Sequence, residues 1–392
     1  MRVVIVGAGI VGASLAYHLS KGGAKVHIFE AQRPGNGTSL ATFSYLNAVR
    51  FGGDYGRLRV QAVDYWHQLS SELQAEQFVH CDGSVYYIDN DEDVRLMEEH
   101  VAESSAVGLS FERMRAATFV KDFEPNLIFP EAGFPVYRMP GEGWLESVPM
   151  IGRLLLCAEL AGTTVSSGVK ITRIEQTASG YKVAGNEIEV EADRVILCGG
   201  PGTAAVLEIL GAKLPVQTRS GVTVVTKPLP IGLKHVVYAG KVHFKPDGGG
   251  RLVAGRTDYR PVHPGVDAAQ EAGRETAALV QPWLRHFGQS EIEAVRVGVR
   301  PIPADGVPAV GELAGHPGVS VAVMHSGVSL SGLIGREHAN EILTGRLSEL
   351  LHAYRPDRFL EAHKTRDDFA PWAPGDLISG GSDAPSSTGS HR

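Results

Sequence analysis

The feature that most constrains this chain lies at its start, where Gly7-Ala8-Gly9-Ile10-Val11-Gly12 joins an apolar β-branched run at residues 2–6 to a helical pattern at residues 12–21. In a GxGxxG turn the first glycine permits the tight bend. The second lets a pyrophosphate approach the backbone, and the third lets helix and strand pack closely. The helix start then offers free N–H groups and partial positive charge to an anion. Gly22-Gly23 stops the helix, a second strand follows at residues 25–29, and Glu30 stands at its end, where a carboxylate accepts ribose hydroxyls and repels a 2′-phosphate. Strand, glycines, helix, strand and acid in this order predict a βαβ unit that binds a dinucleotide.

Composition narrows the partner. The 392 residues carry 37 basic against 44 acidic side chains, a formal charge of −7, and no long Lys/Arg block. A nucleic acid or an anionic membrane surface is therefore not the expected partner, and a small molecule is. With 43% apolar residues the chain can bury a core in each of two or three domains. Cys81, Cys157 and Cys198 are far apart and show no CxxC spacing, so neither a disulfide framework nor a metal site is expected and a reducing cytoplasm is. The first apolar run is too short for a secretory signal, and no segment reaches the roughly 18 uninterrupted apolar residues of a membrane span.

Further along, residues 36–50 are rich in Gly, Ser, Thr and Asn, a composition expected of a functional loop across the ligand. Residues 55–77, 91–107 and 145–160 have helical spacing, and Leu154, Leu155, Leu156 and Leu160 are expected to be mostly buried. Alternating runs at 169–175, 181–184 and 187–190 predict a β-meander, followed by a buried strand at 194–198 and the break Gly199-Gly200-Pro201-Gly202. Strands at 214–226, 236–238, 242–245 and 251–256 predict an antiparallel sheet with Asp247-Gly248-Gly249-Gly250 as a hairpin turn. A helix at 267–286 covers it, a strand at 294–299 follows, and a strand at 319–323 with a helix at 330–343 returns to the nucleotide domain. The expected class is α/β, with a discontinuous Rossmann-like domain (1–80, 145–212, 295–370) and an α+β substrate domain with a mainly antiparallel sheet (81–144, 213–294). Residues 371–392 read as a flexible tail.

Four blocks in order resemble the D-amino-acid oxidase family of FAD oxidoreductases, which includes glycine oxidase and monomeric sarcosine oxidase. They are VIVGAGIVGASLAYHL with Glu30 and Gly37-Thr38-Ser39; ADRVILCGGPGTAAVLEILGAKLPVQTRSG; GVRPIPADGVPAVG from Gly298; and HSGVSLSGLIGREHANEILTG from His325. The resemblance runs from Val3 to about Phe359. It implies FAD held by Gly7, Gly9, Ile10, Val11, Gly12, Glu30, Ala31, Thr38, Ser39, Val169, Gly199 and Gly200. Gly327, Val328, Ser329 and Leu330 then meet the flavin ring at a helix start, where backbone N–H donors stabilise the charge that reduction places on the N1–C2=O edge.

The same resemblance implies that Arg300 binds a substrate carboxylate, that His325 stands where glycine oxidase keeps a second cation, and that Tyr238 and His243 cover the ring. Thr42, Phe43, Ser44, Tyr45 and Asn47 are candidates for the ring edge, and Arg50 for an acidic substrate. His18, His67 and His100 are expected at surface or core. Relatives that attach FAD through a cysteine carry it where Gly298 stands, and the early loop lacks the histidine others use, so noncovalent FAD is expected. Val253 stands where sarcosine oxidases carry an oxygen-activating lysine, which leaves the electron acceptor open. The expected reaction is oxidation of the C–N bond of a small amino acid or N-alkyl amino acid. A dehydrogenase using a quinone or protein acceptor and a flavin-bearing subunit with little activity alone are the alternatives; an NAD-dependent dehydrogenase would leave the third and fourth blocks without purpose.

Overall fold

The computed structural model describes residues 1–129, 134–257, 266–285, 287 and 291–360. Strand Arg2–Val6 is buried from Val3 onward because helices cover one face of its sheet and a β-meander the other. It pairs in parallel with Lys25–Glu30 on one side and Arg194–Leu197 on the other. The complete six-stranded order is 309–313, 316–323, 194–197, 2–6, 25–30, 164–167, and only the first pair is antiparallel. Helices Ile10–Lys21, Gly53–Glu72, Ser147–Leu160 and Gly327–Thr344 pack on one face. The meander Ile171–Thr177, Gly180–Gly185, Ile188–Ala192 packs on the other.

The second large sheet has eight strands in the order 292–303, 216–226, 251–256, 242–247, 236–239, 84–87, 135–139, 112–115. Its only parallel pair, Val236–Ala239 beside Ser84–Tyr87, joins segments about 150 residues apart. Helices Ala116–Asp122 and Val266–Val280 bury one face of it. The opposite face carries a row of directly paired residues, one from each strand it crosses: Tyr137, Tyr86, Tyr238, His243, Gly255, Thr223 and Arg296. Paired residues point to the same face. That face looks toward the glycine-rich turn of the first sheet.

Several expectations change in detail. Residues 36–50 are not all loop: a short helix Thr38–Ala41 and a strand Tyr45–Leu46 interrupt them. Leu154 and Leu155 are buried, but Leu156 is 45% and Leu160 80% exposed. Successive leucines are 100° apart on a helix and cannot all face one sheet. The covering helix ends at Val280, where Pro282 forces a 3₁₀ turn Gln281–Trp283; His286 lies outside the described residues. The strand expected at 294–299 runs over Ile292–Pro303, since its neighbour Val216–Thr226 offers a partner along the full length. The 371–392 tail and residues 361–370 lie outside the described residues.

Candidate active site

Between the two large sheets lies one cavity of about 450 Å³. At one end Gly7, Gly9, Ile10, Val11, Glu30 and Ala31 form its wall, with Thr38, Ser39, Gly199 and Gly200 beside them; at the other stand Tyr238, His243, Arg300, His325, Gly327, Val328 and Ser329. Three of the residues expected to hold the cofactor do not line it. Gly12 packs inward, where a Cβ would collide with the Gly7 carbonyl oxygen and crowd Cys198 Sγ. Val169 belongs to the core beneath the first sheet and donates its N–H to Glu30 O at 2.9 Å. Leu330 is buried, with its N–H already bonded to Ser326 O at 3.1 Å, so the uncommitted donors of that helix come from the three residues before it.

The first helix begins at Ile10 with neither a side-chain cap nor an acidic residue in its first turn. Ser39 Oγ accepts from Ile10 N at 3.2 Å, and Glu30 accepts from Ala8 N and Gln32 N at 2.8 Å each, which fixes the carboxylate beside the turn. Gly7 adopts φ 109°, a conformation that an L side chain strains to reach, and its Cα faces the Cys198 carbonyl too closely for a Cβ. The closing helix Gly327–Thr344 likewise starts without a side-chain cap or an early acid. Two helix N-termini thus direct partial positive charge into one cavity, one at each end.

Residues that the sequence did not single out hold the second helix start in place. Arg59 is 1% exposed, donates to Ser326 Oγ at 2.7 Å, to Asn47 O at 2.8 Å and to Asn47 Oδ1, and rests over Phe51 and Tyr55. Trp66 Nε1 donates to Val328 O at 2.9 Å, and Ser329 Oγ donates to Tyr45 O at 2.7 Å. Glu142, fully buried, accepts from Ala48 N, Val49 N, Ser84 Oγ and Tyr45 OH, and so fastens the 45–49 segment to the large sheet. Arg59 had a readable signal, a charge at an apolar-face position of its helix beside Tyr55, Ala62 and Trp66. Glu142, in Gly141-Glu142-Gly143, had none.

At the far end Tyr238 stacks on Tyr86 at 4.6 Å and on His243 at 5.1 Å, and Phe43 meets His243 edge-on at 4.3 Å. Gly255 and Gly221 leave room above the sheet: a Cβ at Gly255 would stand 2.6 Å from His243 Nε2, and one at Gly221 2.5 Å from Arg300 Nη2. Burial, with help from Arg300 and Arg50, lowers the His243 pKa to about 3. Burial, then Arg300, Arg59 and Arg219, also pushes His325 well below its usual value. Both shifts favour the neutral imidazole. Thr42, Phe43, Ser44, Tyr45, Asn47 and Arg50 all reach the cavity. His18, His67 and His100 do not line it; His18 is buried, His100 half-buried and His67 exposed.

A dinucleotide cradle opening onto a mainly antiparallel sheet defines the class of two-sheet, dinucleotide-dependent oxidoreductases. The chain belongs to the FAD-dependent oxidoreductase family (DAO), whose model matches residues 2–341. It is 25% identical over 349 residues to the glycine oxidase of Geobacillus kaustophilus, covering 85% of this chain and 90% of the relative. It is 24% identical over 378 residues to one subunit of the opine oxidase of Agrobacterium tumefaciens, covering 91% and 97%. The crystal structure of the Geobacillus glycine oxidase superposes with a TM-score of 0.80 at 23% identity over 91% of this chain and 99% of that one. The protein is an FAD-dependent oxidoreductase of the amino-acid oxidase type. The cradle fits FAD: the glycines leave the turn open, neither helix start carries an acidic residue in its first turn, and Glu30 is the only carboxylate among the described cavity residues. Among the described residues no helix is long and apolar enough to cross a membrane.

Proposed function

We propose that the protein oxidises the C–N bond of a small amino acid or N-alkyl amino acid, with Arg300 holding the substrate carboxylate. The observation that carries this reading is the guanidinium lying over Gly221 in the same cavity as the uncapped start of Gly327–Thr344. Arginine pairs a carboxylate through two parallel charged hydrogen bonds. FAD, when bound, supplies the hydride acceptor at N5. The substrate loses its α-hydrogen as hydride and one N–H proton, and the imine adds water to give an oxo-acid and ammonia or an amine.

This chain's own residues position and dry the reacting carbon. Gly7, Gly9, Ile10 and Val11 would take the diphosphate, Glu30 the ribose, and the amides of Gly327, Val328 and Ser329 the ring edge. Tyr238 and His243, stacked in the sheet row, close the site with neutral groups that neither repel a deprotonated amine nor bring bulk water. Noncovalent FAD is supported by Cys198, the one cysteine among the described cavity residues: its Sγ contacts Gly7 O under the phosphate turn, and burial raises its pKa.

An acceptor other than oxygen is the second reading. Val253 is buried in the sheet, and no lysine lines the cavity among the described residues. A role within a larger assembly draws support from the Agrobacterium relative, which is named as an opine oxidase subunit. The three free cysteines suit a cytoplasmic setting. The test is anaerobic mixing of the yellow holoprotein with glycine, sarcosine, D-amino acids and cyclic imino acids, read as bleaching of the flavin band. Bleaching by at least one amino acid, followed by reoxidation in air or only with a quinone, separates substrate from acceptor. No bleaching by any of them would refute the reading.

A further inference from the structure

We propose that Arg59 is a positioning residue for the flavin: it draws Ser326 away from capping the closing helix, so that the first amides of that helix stay open to the ring edge, and it sets a full positive charge beside them. This rests on the placement of the ring edge at the amides of Gly327, Val328 and Ser329 given above. The first support is a cap that is not made. Serine is among the residues preferred at a helix N-cap, where its hydroxyl accepts from the N–H two or three residues on. Ser326 holds that place before Gly327–Thr344 and makes no such bond, and its backbone stands at φ −86°, ψ 42° rather than in the extended form usual for a capping residue. The same chain shows a made cap at Asn90, which is extended at φ −150°, ψ 157° and accepts from Asp93 N at 2.9 Å. Ser326 Oγ instead accepts from Arg59 Nη1 at 2.7 Å and lies 3.3 Å from His325 Nδ1.

The second support is charge. Arg59 is 1% exposed, and its hydrogen bonds go to Ser326 Oγ, Asn47 O, Asn47 Oδ1 and Tyr55 OH, none of them anionic. The rings of Phe51 and Tyr55 beside it carry no formal charge either. A buried cation with only neutral partners is costly, and an anion nearby offsets the cost. Arg59 lines the same cavity as Gly327, Val328 and Ser329, and its field acts there, since it is one of the three arginines that depress His325. Glu30, the one carboxylate among the described cavity residues, stands at the phosphate end, where it accepts from Ala8 N. The brace comes from one helix: Arg59 and Trp66, about two turns apart on Gly53–Glu72, reach Ser326 Oγ and the Val328 carbonyl oxygen. Transfer of a hydride leaves the ring with a negative charge on its N1–C2=O edge. That charge meets open amides and a guanidinium one hydrogen bond from the residue that precedes them, whereas the oxidised ring is neutral. The arrangement therefore favours the reduced form.

The experiment measures the two-electron midpoint potential of the holoprotein's flavin at fixed pH, by anaerobic dithionite reduction against a reference dye, and needs no substrate. Arg59→Met removes the charge and releases Ser326 to cap its helix. It should weaken the preference for the reduced ring about tenfold or more, a fall of about 30 mV or more. Arg59→Lys keeps the charge and should lose less than about half of that. Adding Ser326→Ala to Arg59→Met removes the hydroxyl that would close the amides and should recover about threefold, or about 15 mV, whereas Ser326→Ala alone should move the potential by less. A merely structural brace would give no such recovery, because the second substitution would only add to the damage. If Arg59→Met does not retain flavin, Arg59→Gln, which keeps a donor for the Asn47 carbonyl oxygen and removes the charge, takes its place in both variants with the same directions expected. An unchanged potential without the charge, or a double variant no higher than the single one, overturns the proposal. Bleaching by an amino acid together with an unchanged potential would leave the oxidation reading standing; the expected shifts in a protein that no amino acid bleaches would uphold the role of Arg59 and refute that reading.

Discussion

Gly221→Ala isolates Arg300 without touching it. The strand Val216–Thr226 accepts alanine there, because Gly221 is not among the residues with positive φ and the atom its Cβ would meet is the end of a flexible side chain. That atom, Arg300 Nη2, would lie 2.5 Å from the new carbon and Cζ 3.1 Å from it. An unstrained contact needs about 3.5 Å, so the guanidinium must retreat by about 1 Å. A bidentate pair tolerates about half an ångström. The loss of one or both charged bonds is worth about 1.5–3 kcal/mol, or about 10- to 150-fold in the dissociation constant for a carboxylate. The assay is titration of the holoprotein's flavin spectrum with a carboxylate inhibitor, together with the KM and kcat of the best substrate. KM should rise by that factor with kcat changed much less, the pattern of an interaction shared by ground and transition states. An unchanged dissociation constant in a protein with full flavin content would show that Arg300 does not hold the carboxylate.

Gly12→Ala should yield protein with little or no bound flavin, since the methyl group collides with the Gly7 carbonyl; flavin absorbance per chain after purification measures it. With His243 near 3 and His325 well below its usual value, kcat/KM should show no histidine limb between pH 5.5 and 7.5 and should rise with deprotonation of the substrate amine, as read from a pH–rate profile; a limb near 6.5 that moves in His243→Asn would contradict the neutral imidazole. Burial alone would raise the Glu341 carboxyl, but hydrogen bonds from His338 and Arg355 outweigh it and lower its pKa from 4.5 to about 2. A lowered carboxylate stabilises the fold above its unfolded pKa and loses that contribution as pH falls through the folded one. The ~3 kcal/mol involved should therefore disappear between about pH 4.5 and 2 in the native chain and be largely absent in Glu341→Gln, measured by urea unfolding against pH.

What the sequence made legible follows from where the determining contacts lie. The opening βαβ unit could be read because its glycines, helix and Glu30 interact within 30 residues. The meander could be read because its strands pair with their immediate neighbours. Strands Ser84–Tyr87, Glu112–Arg115 and Pro135–Met139 went unread. Glu-Arg-Met-Arg has no apolar alternation, and Ser84–Tyr87 pairs with Val236–Ala239 about 150 residues away, a partner that its own residues do not reveal. In the site, resemblance marked Arg300, Tyr238 and His243, and the cavity brings them together. The roles of Gly221 and Gly255 were hidden because each matters through the side chain that leans over it from another strand. The charge state of His325 was likewise invisible, being set by burial and three arginines from separate parts of the chain.

The placement of Arg2–Val6 in the middle of its sheet has a consequence during synthesis. This strand leaves the ribosome well before two of the strands of its sheet, since Arg194–Leu197 reaches it only about 190 residues later, and His316–Val323 later still. The helix whose start closes the ring end of the crevice is finished at Thr344. Coenzyme loading is thus a late event: a nascent chain released before that point has the phosphate turn but an open-edged sheet, which favours sticking to other unfinished chains over coenzyme capture.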